Sequence, residues 1–137
     1  MSPRTADTAM ERLLTEVELE LMTAIWTLGK ATVKEVVSAL PETRQLAYTT
    51  VATVMKILEQ KEFLKCQKDS YAHVFYPTIS KSDYEGTCID HMVTRVFDGE
   101  PVALVQRLLN AKKLSKEDLL AIEETLKELS PPKKGKK

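Results

Sequence analysis

The stretch LAYTTVATVMKIL, Leu46 to Leu58, decides the fold because it carries two conflicting signals. Six of its residues are threonine, valine or tyrosine, which are types that favour β-strands. Its apolar residues nevertheless recur at i, i+3, i+4 and i+7, the spacing of a helix with one buried face; they are Val51, Val54, Met55 and Leu58. We therefore predict a helix over residues 47–60 whose solvent face carries hydroxyl groups.

Two further helices are predicted before this one. Thr15 and Glu18 have the spacing of a capping box at the start of the first helix, and Gly29 suits its C-terminal end. Thr32 and Glu35 have the same capping-box spacing at the start of the second. A short polar turn then leads into the third helix.

After the third helix the hydrophobic period changes from about 3.6 to 2, which indicates strands. Residues 63–77 predict a β-hairpin whose tip is formed by Asp69 and Ser70. Helix, helix, turn, helix and hairpin is the order of a winged helix-turn-helix, in which the third helix enters the DNA major groove and the hairpin contacts the flanking backbone. We therefore predict a winged helix DNA-binding domain over residues 11–78.

The side chains left on the solvent face of the third helix suit a DNA groove. Threonine hydroxyls can donate to phosphates or bases, threonine methyls can contact the thymine methyl, and lysines pair with phosphate. An ordinary solvent-exposed helix can also be rich in threonine, and Tyr48 can instead belong to the core. The predicted DNA contacts are Arg44, Ala47, Tyr48, Thr49, Thr50, Ala52, Thr53, Lys56, Lys65, Lys68, Ser70 and His73.

Residues 79–130 are predicted to form three amphipathic helices, the first of them capped by Ser80 with Asp83 or by Ser82 with Glu85. A bundle of about 50 residues buries too little surface to be stable alone. It therefore packs either on the first domain or against a second copy of the chain, and we favour the second. The predicted dimer contacts are Ile89, Met92, Val93, Val96, Val102, Val105, Leu108, Leu109, Leu119, Ile122 and Leu126.

The predicted fold class is therefore mainly α with a small β-hairpin: a winged helix-turn-helix domain followed by a three-helix dimerisation region. The last residues, 131–137, carry four lysines and no apolar side chain, and we expect them to be a disordered basic tail.

The overall charge is zero, with 20 basic and 20 acidic residues, which argues against a strongly basic nucleic-acid binder. The charges are unevenly distributed, however. Residues 11–42 contain six acidic and three basic side chains, whereas residues 44–76 contain five basic and three acidic ones. One face can therefore be positive. The neutral total keeps open an alternative, a winged helix that binds proteins and has no specific DNA site.

Other classes of protein find little support in the sequence. It shows no nucleophile-base pair, glycine-rich phosphate loop or metal motif, so we expect neither an enzyme nor a cofactor. Cys66 and Cys88 are expected to be reduced thiols, and Cys88 with His91 is too small a set to name as metal ligands. No apolar run approaches the ~18 residues of a membrane helix, and the first residues lack a signal-type core. We therefore expect a cytoplasmic protein without a membrane partner.

Three segments resemble the penicillinase-repressor family, BlaI/MecI, which also includes copper-responsive CopY-type repressors. They are LTEVELELMTAIWTLGKATVKEVVSAL, AYTTVATVMKILEQKEFLK and YAHVFYPTISKSDY, and the resemblance runs from about residue 14 to 129. It implies a homodimeric transcriptional repressor whose N-terminal winged helix binds a palindromic double-stranded DNA operator. It also implies that the C-terminal helices form the dimer.

The resemblance also bears on what releases such a repressor. Members of the β-lactam branch are cut by a sensor protease at an Asn-Phe bond in the dimerisation helices. The corresponding bond here is about Arg107-Leu108, so the Asn-Phe pair is absent, which argues against a sensor protease as a partner. CopY-type members carry a C-terminal cysteine cluster, and the C-terminal SPPKKGKK has none.

Overall fold

The computed structural model describes residues 13–69, 71–111 and 114–129. In this part of the chain six helices and two strands follow one another in the predicted order. They are α1 (Glu16–Leu28), α2 (Val33–Ala39), α3 (Tyr48–Gln60), β1 (Leu64–Asp69), β2 (Ala72–Pro77), α4 (Lys81–Arg95), α5 (Pro101–Ala111) and α6 (Lys116–Leu129). The mainly helical winged helix fold with a single hairpin is thereby confirmed.

The first two helices begin at the predicted capping boxes. The Thr15 hydroxyl accepts a hydrogen bond from the Glu18 backbone N–H at 3.2 Å, and the Glu18 carboxylate accepts one from the Thr15 N–H at 2.9 Å. Thr32 and Glu35 make the same reciprocal pair at the start of α2. Gly29 follows α1 with a φ of +88°, a conformation that favours glycine. These helix ends are therefore set by local sequence.

The core lies between α1, α3 and the hairpin. The side chains of Val51, Met55 and Leu58 on α3 are completely buried, and they belong to one cluster with buried Leu21, Met22 and Ile25 of α1 and Phe75 of β2. Val54, also predicted to face inward, is half-buried and packs against the same cluster. The helical spacing of the apolar residues in Leu46 to Leu58 thus identifies the face of α3 that packs into the core.

The hairpin is antiparallel, with Leu64 opposite Pro77 at its base and Asp69 opposite Ala72 near its tip. Asp69 is therefore the last residue of β1, and its predicted place in the tip is wrong. Tyr71, directly before Ala72, is a turn residue, so the turn reaches further along the chain than predicted. Ser70 lies outside the described residues.

A single backbone bridge joins the hairpin to the segment between α1 and α2. The Ala31 N–H donates to the Phe75 carbonyl at 3.0 Å, and the Phe75 N–H donates to the Ala31 carbonyl at 2.8 Å. Ala31 and Phe75 are both buried. This bridge attaches the hairpin to the helices.

Tyr84 attaches the start of α4 to the same domain. Its hydroxyl oxygen accepts a hydrogen bond from the Leu14 backbone N–H at 2.7 Å, and its ring packs edge-on against Phe63. Burial, the largest cause, raises the pKa of the Tyr84 hydroxyl. Ser80 caps α4 by accepting from the Asp83 N–H, the first of the two predicted alternatives.

The chain divides into two compact units, the first ending at Met92 and the second beginning at Val93. This division falls inside α4, later than the predicted domain boundary after residue 78. In the second unit Ser115 and Asp118 form a reciprocal cap at the start of α6. Within residues 93–111 and 114–129 no side chain is buried. The described helices of the second unit therefore build no core of their own.

A partly buried ion pair joins the start of α1 to the residue that follows α3. The Lys61 ammonium donates to the Glu18 carboxylate at 2.8 Å, and Glu18 is only 5% exposed. Burial acts to raise the pKa of Glu18. The hydrogen bonds and charge of Lys61 and the hydrogen bonds of Thr15 outweigh it and hold that pKa below its ordinary 4.5. The ionised carboxylate therefore stabilises the folded domain.

We expect Lys61→Met to lower the free energy of unfolding by about 1 kcal/mol at pH 7, because Glu18 loses its charged partner while Lys61 itself is partly exposed. Because the pKa of Glu18 is lowered in the folded state, its ionised carboxylate stabilises the folded domain above pH 4.5. This stabilisation is lost as the pH falls through the folded-state pKa. The difference between variant and parent should therefore shrink at about pH 3.

Urea unfolding, followed by the fluorescence of Trp26, the chain's single tryptophan, measures the free energy of unfolding of variant and parent at each pH. Lys65→Met, at an exposed position of β1, is the matched control and should change stability by less than about 0.5 kcal/mol. A Lys61→Met effect that is as large at acid pH as at neutral pH contradicts the role given to the Glu18 charge.

Candidate nucleic-acid interface

The exposed surface of α3 carries polar side chains, most of them threonine. Tyr48 is 56% exposed, and Thr49, Thr50 and Thr53 are exposed as well. Lys56 is exposed one turn further along the helix. Thr49, Thr50, Thr53 and Lys56 lie on the side of the helix away from its fully buried face, so packing of the core presents them together to solvent. Tyr48 is exposed because it is the first residue of the helix.

A groove of about 720 Å³ lies between α3, the start of α2 and one face of the hairpin. Tyr48, Ala52 and Lys56 line its α3 side, and Lys68 and His73 line its hairpin side. Lys68 and His73 are opposite one another in the strand register, so their side chains share a face of the hairpin. Five predicted DNA contacts therefore border one concave surface.

Lys65 lies elsewhere on the hairpin. Successive strand residues point to opposite faces, so Lys65, paired with Tyr76, faces away from the groove that Lys68 lines. On that outer face the Lys30 ammonium lies 5.9 Å from the centre of the Tyr76 ring. The basic side chains of the hairpin are thus divided between its two faces.

The groove is positively charged at three points. Lys34, Lys56 and Lys68 line it together with one acidic residue, Glu59. Lys34 was absent from the predicted contacts. The capping box at Thr32 is visible in the sequence and places Lys34 in the first turn of α2, so it is the signal that could have indicated this residue. The local excess of lysine contrasts with the zero net charge of the whole chain.

Arg44 is bound to α1 and does not line the groove. Its Nε donates to both carboxylate oxygens of Glu20, at 3.1 and 2.9 Å. Ala47 is the N-cap residue of α3 and its side chain forms no cap hydrogen bond. Neither residue therefore lines the groove, and the same holds for Thr49, Thr50 and Thr53, which are exposed elsewhere on α3. Ser70 lies outside the described residues.

Cys66 and His73 lie side by side on the groove face of the hairpin. The Cys66 sulfur is 3.5 Å from Nδ1 of His73. Burial, and then the charge of Glu59, raise the pKa of the Cys66 thiol, so the thiol form is the stable one at neutral pH. Both cysteines are free, as predicted. Among the described residues no group of three or more His, Cys, Asp and Glu side chains can hold a metal ion.

The predicted dimer contacts lie on exposed apolar surface. Nine of the eleven are exposed, with Val96 and Val102 more than 60% accessible, and Val93 and Ile122 are half-buried. Leu120 and Leu129 of α6 are also exposed, and sequence reasoning did not include them. Exposed patches of this kind mark interaction sites in soluble proteins.

Comparison with known proteins gives a family match for this chain. The family model described as the penicillinase repressor matches residues 14–128. The chain belongs to the penicillinase repressor family. The resemblance of the three sequence segments is thereby confirmed, and this family is a class of repressors and not of enzymes.

Individual relatives cover different parts of this family member. The penicillinase repressor of Bacillus licheniformis is 27% identical over 121 residues, which is 88% of this chain and 94% of the relative. The solution structure of the DNA-binding domain of the repressor BlaI is 30% identical and covers 53% of this chain and 88% of that one, with a TM-score of 0.47. A structure of the CopR repressor is 31% identical and covers 49% and 97%, with a TM-score of 0.43.

In the described residues of this penicillinase repressor family member, none of the helices combines the length and the hydrophobicity needed to span a bilayer.

The two faces of α3 predict opposite responses to truncation. Met55→Ala removes a fully buried side chain and should lower the free energy of unfolding by about 2–5 kcal/mol. Thr50→Ala, on the exposed face, should change it by less than about 0.5 kcal/mol. Trp26 fluorescence in urea measures both variants. Similar losses in the two variants contradict the assignment of faces.

Proposed function

We propose that this protein is a sequence-specific DNA-binding transcriptional repressor that binds a palindromic operator as a homodimer. One observation carries the proposal. In a member of a repressor family, α3 has one fully buried face and one hydroxyl-bearing exposed face, and it borders a groove with three lysines. A helix of this shape fits a DNA major groove about 12 Å wide.

In the proposed complex α3 contacts base edges. Thr49 and Thr50 lie in its first turn, and the first turns of such helices make the base contacts in helix-turn-helix proteins. Thr53 follows one turn later on the same face. Ala52 is small enough to let the helix approach the bases. These four side chains supply the sequence preference.

The lysines around the groove contact phosphates. Lys56 extends from α3, Lys68 from the hairpin and Lys34 from the start of α2, so the three cations line the groove that borders α3 at Ala52. Phosphate contacts of this kind hold a protein in register on the duplex and release counterions. Binding should therefore weaken as salt increases.

The exposed apolar side chains of α4, α5 and α6 form the dimer contact. Burying them against a second copy removes apolar area from water, which is the dominant favourable term in most protein association. A dimer with twofold symmetry presents two α3 helices to two half-sites spaced by one or more helical turns of about 10 bp. The proposed operator is palindromic for this reason. The proposed site of action is the cytoplasm, where the DNA is.

A sensor protease is no part of this proposal. The Arg107-Leu108 bond lies inside α5 and lacks the Asn-Phe sequence that the resemblance associates with cleavage. The zero net charge favours a second candidate function, a winged helix that binds protein partners. The local excess of lysine around the groove favours DNA instead.

Selection from random duplexes, followed by gel-shift titration at several salt concentrations, tests DNA binding. We expect a palindrome to be enriched. Lys56→Gln and Lys68→Gln should each weaken binding to all sequences alike and reduce the salt slope by about one. Lys81→Gln, on α4 away from the groove, is the charge-matched control and should keep the parental slope. No preference for any palindrome would refute specific DNA binding and favour the protein-binding alternative.

Val105→Glu tests the dimer contact. A carboxylate placed in an apolar interface has no partner there, so the dimer dissociation constant should rise at least about 100-fold. Asn110→Glu adds the same charge on the polar side of α5 and should leave that constant close to the parental value. Sedimentation equilibrium of the three proteins measures the association. Equal association of all three would place the dimer contact elsewhere.

A further inference from the structure

The three threonines on the outer face of α3 differ in what their hydroxyls already bind. The Thr53 hydroxyl donates to the backbone carbonyl of Thr49 at 2.9 Å. Thr49 and Thr50 lie in the first turn, where the carbonyl four residues earlier belongs to the segment before the helix. In the part of the chain that the structure describes, neither of their hydroxyls has a hydrogen bond. Of the three threonine hydroxyls, only that of Thr53 already donates a hydrogen bond.

This difference limits which base groups Thr53 can bind. A threonine hydroxyl has a single donor and two acceptor lone pairs. Guanine N7 and O6, adenine N7 and thymine O4 are acceptors, and a side chain must donate to bind them. Thr53 cannot do so while it keeps its bond to the Thr49 carbonyl. It therefore offers a methyl group and oxygen lone pairs.

Thr53 has one apolar neighbour at helical spacing, Ile57, whereas Thr49, Thr50 and Lys56 are its polar neighbours. Ile57 lies one turn further along the same face and is 36% exposed. The Ile57 side chain and the Thr53 methyl together suit contact with an apolar group on the DNA. The C5-methyl of thymine is the apolar group that the major groove presents.

We propose that Thr53 is a specificity-determining residue that recognises a thymine through methyl-to-methyl contact, while Thr49 and Thr50 use their hydroxyl donors. This inference rests on the proposed function, since it requires α3 to lie in the major groove. It assigns the discrimination between thymine and cytosine at one position of each half-site to Thr53.

Deoxyuridine tests this assignment because it lacks only the C5-methyl of thymine and keeps its base pairing. Each thymine of the selected operator is replaced in turn, and affinity is measured by gel shift. One position per half-site should lose about fourfold in affinity, the factor that corresponds to burying about one methyl-sized group.

Two substitutions separate the methyl from the hydroxyl. Thr53→Val keeps a methyl in place and removes the hydroxyl, so the preference for thymine over deoxyuridine should remain. Thr53→Ser keeps the hydroxyl and removes the methyl, so the preference should disappear. Thr27 of α1 makes the same type of bond, to the Thr23 carbonyl at 3.0 Å, and is the matched control. Thr27→Ser should keep the parental preference.

The inference is overturned if Thr53→Ser keeps the preference while Thr53→Val loses it, because the hydroxyl would then be the group that reads the base. It is also overturned if no deoxyuridine substitution weakens binding. Failure of the selection to enrich any DNA has a different meaning, since it refutes the proposed function itself.

Discussion

Val51, Met55 and Leu58 lie against the side chains of α1, entirely out of solvent, and this burial fixes the rotation of α3 about its own axis. The DNA contacts proposed for α3 depend on that rotation, because it determines which side chains of the helix are exposed. Threonine and valine are poor helix formers compared with alanine or leucine. Packing of the apolar face, and not the intrinsic preference of its residues, therefore keeps this segment helical.

Much of the fold could be predicted because its signals are local. The capping boxes at Thr15 and Thr32 each need only four consecutive residues, and both helices begin where these boxes predict. The buried face of α3 follows from spacing within a single helix. The exposed hydroxyl face then follows by exclusion, so the α3 part of the candidate site was also predictable from sequence.

The parts that sequence reasoning missed depend on distant partners. Arg44 is bound by Glu20, 24 residues earlier, and no local pattern indicates that pairing. Lys34 joins the groove wall only because α2, α3 and the hairpin pack together. Asp69 was wrongly placed in the hairpin tip, because the register in which it faces Ala72 belongs to the whole hairpin and its bridge to the helices.

The bridge between Ala31 and Phe75 also determines which edge of the hairpin stays open. Strand β2 has β1 on one side and Ala31 on the other, whereas in the described chain no strand lies beyond β1. An open strand edge invites pairing with another molecule, and lysines along such an edge discourage it. β1 carries Lys65 and Lys68. These two lysines would therefore protect the free protein from aggregation through its wing, a role that does not require DNA.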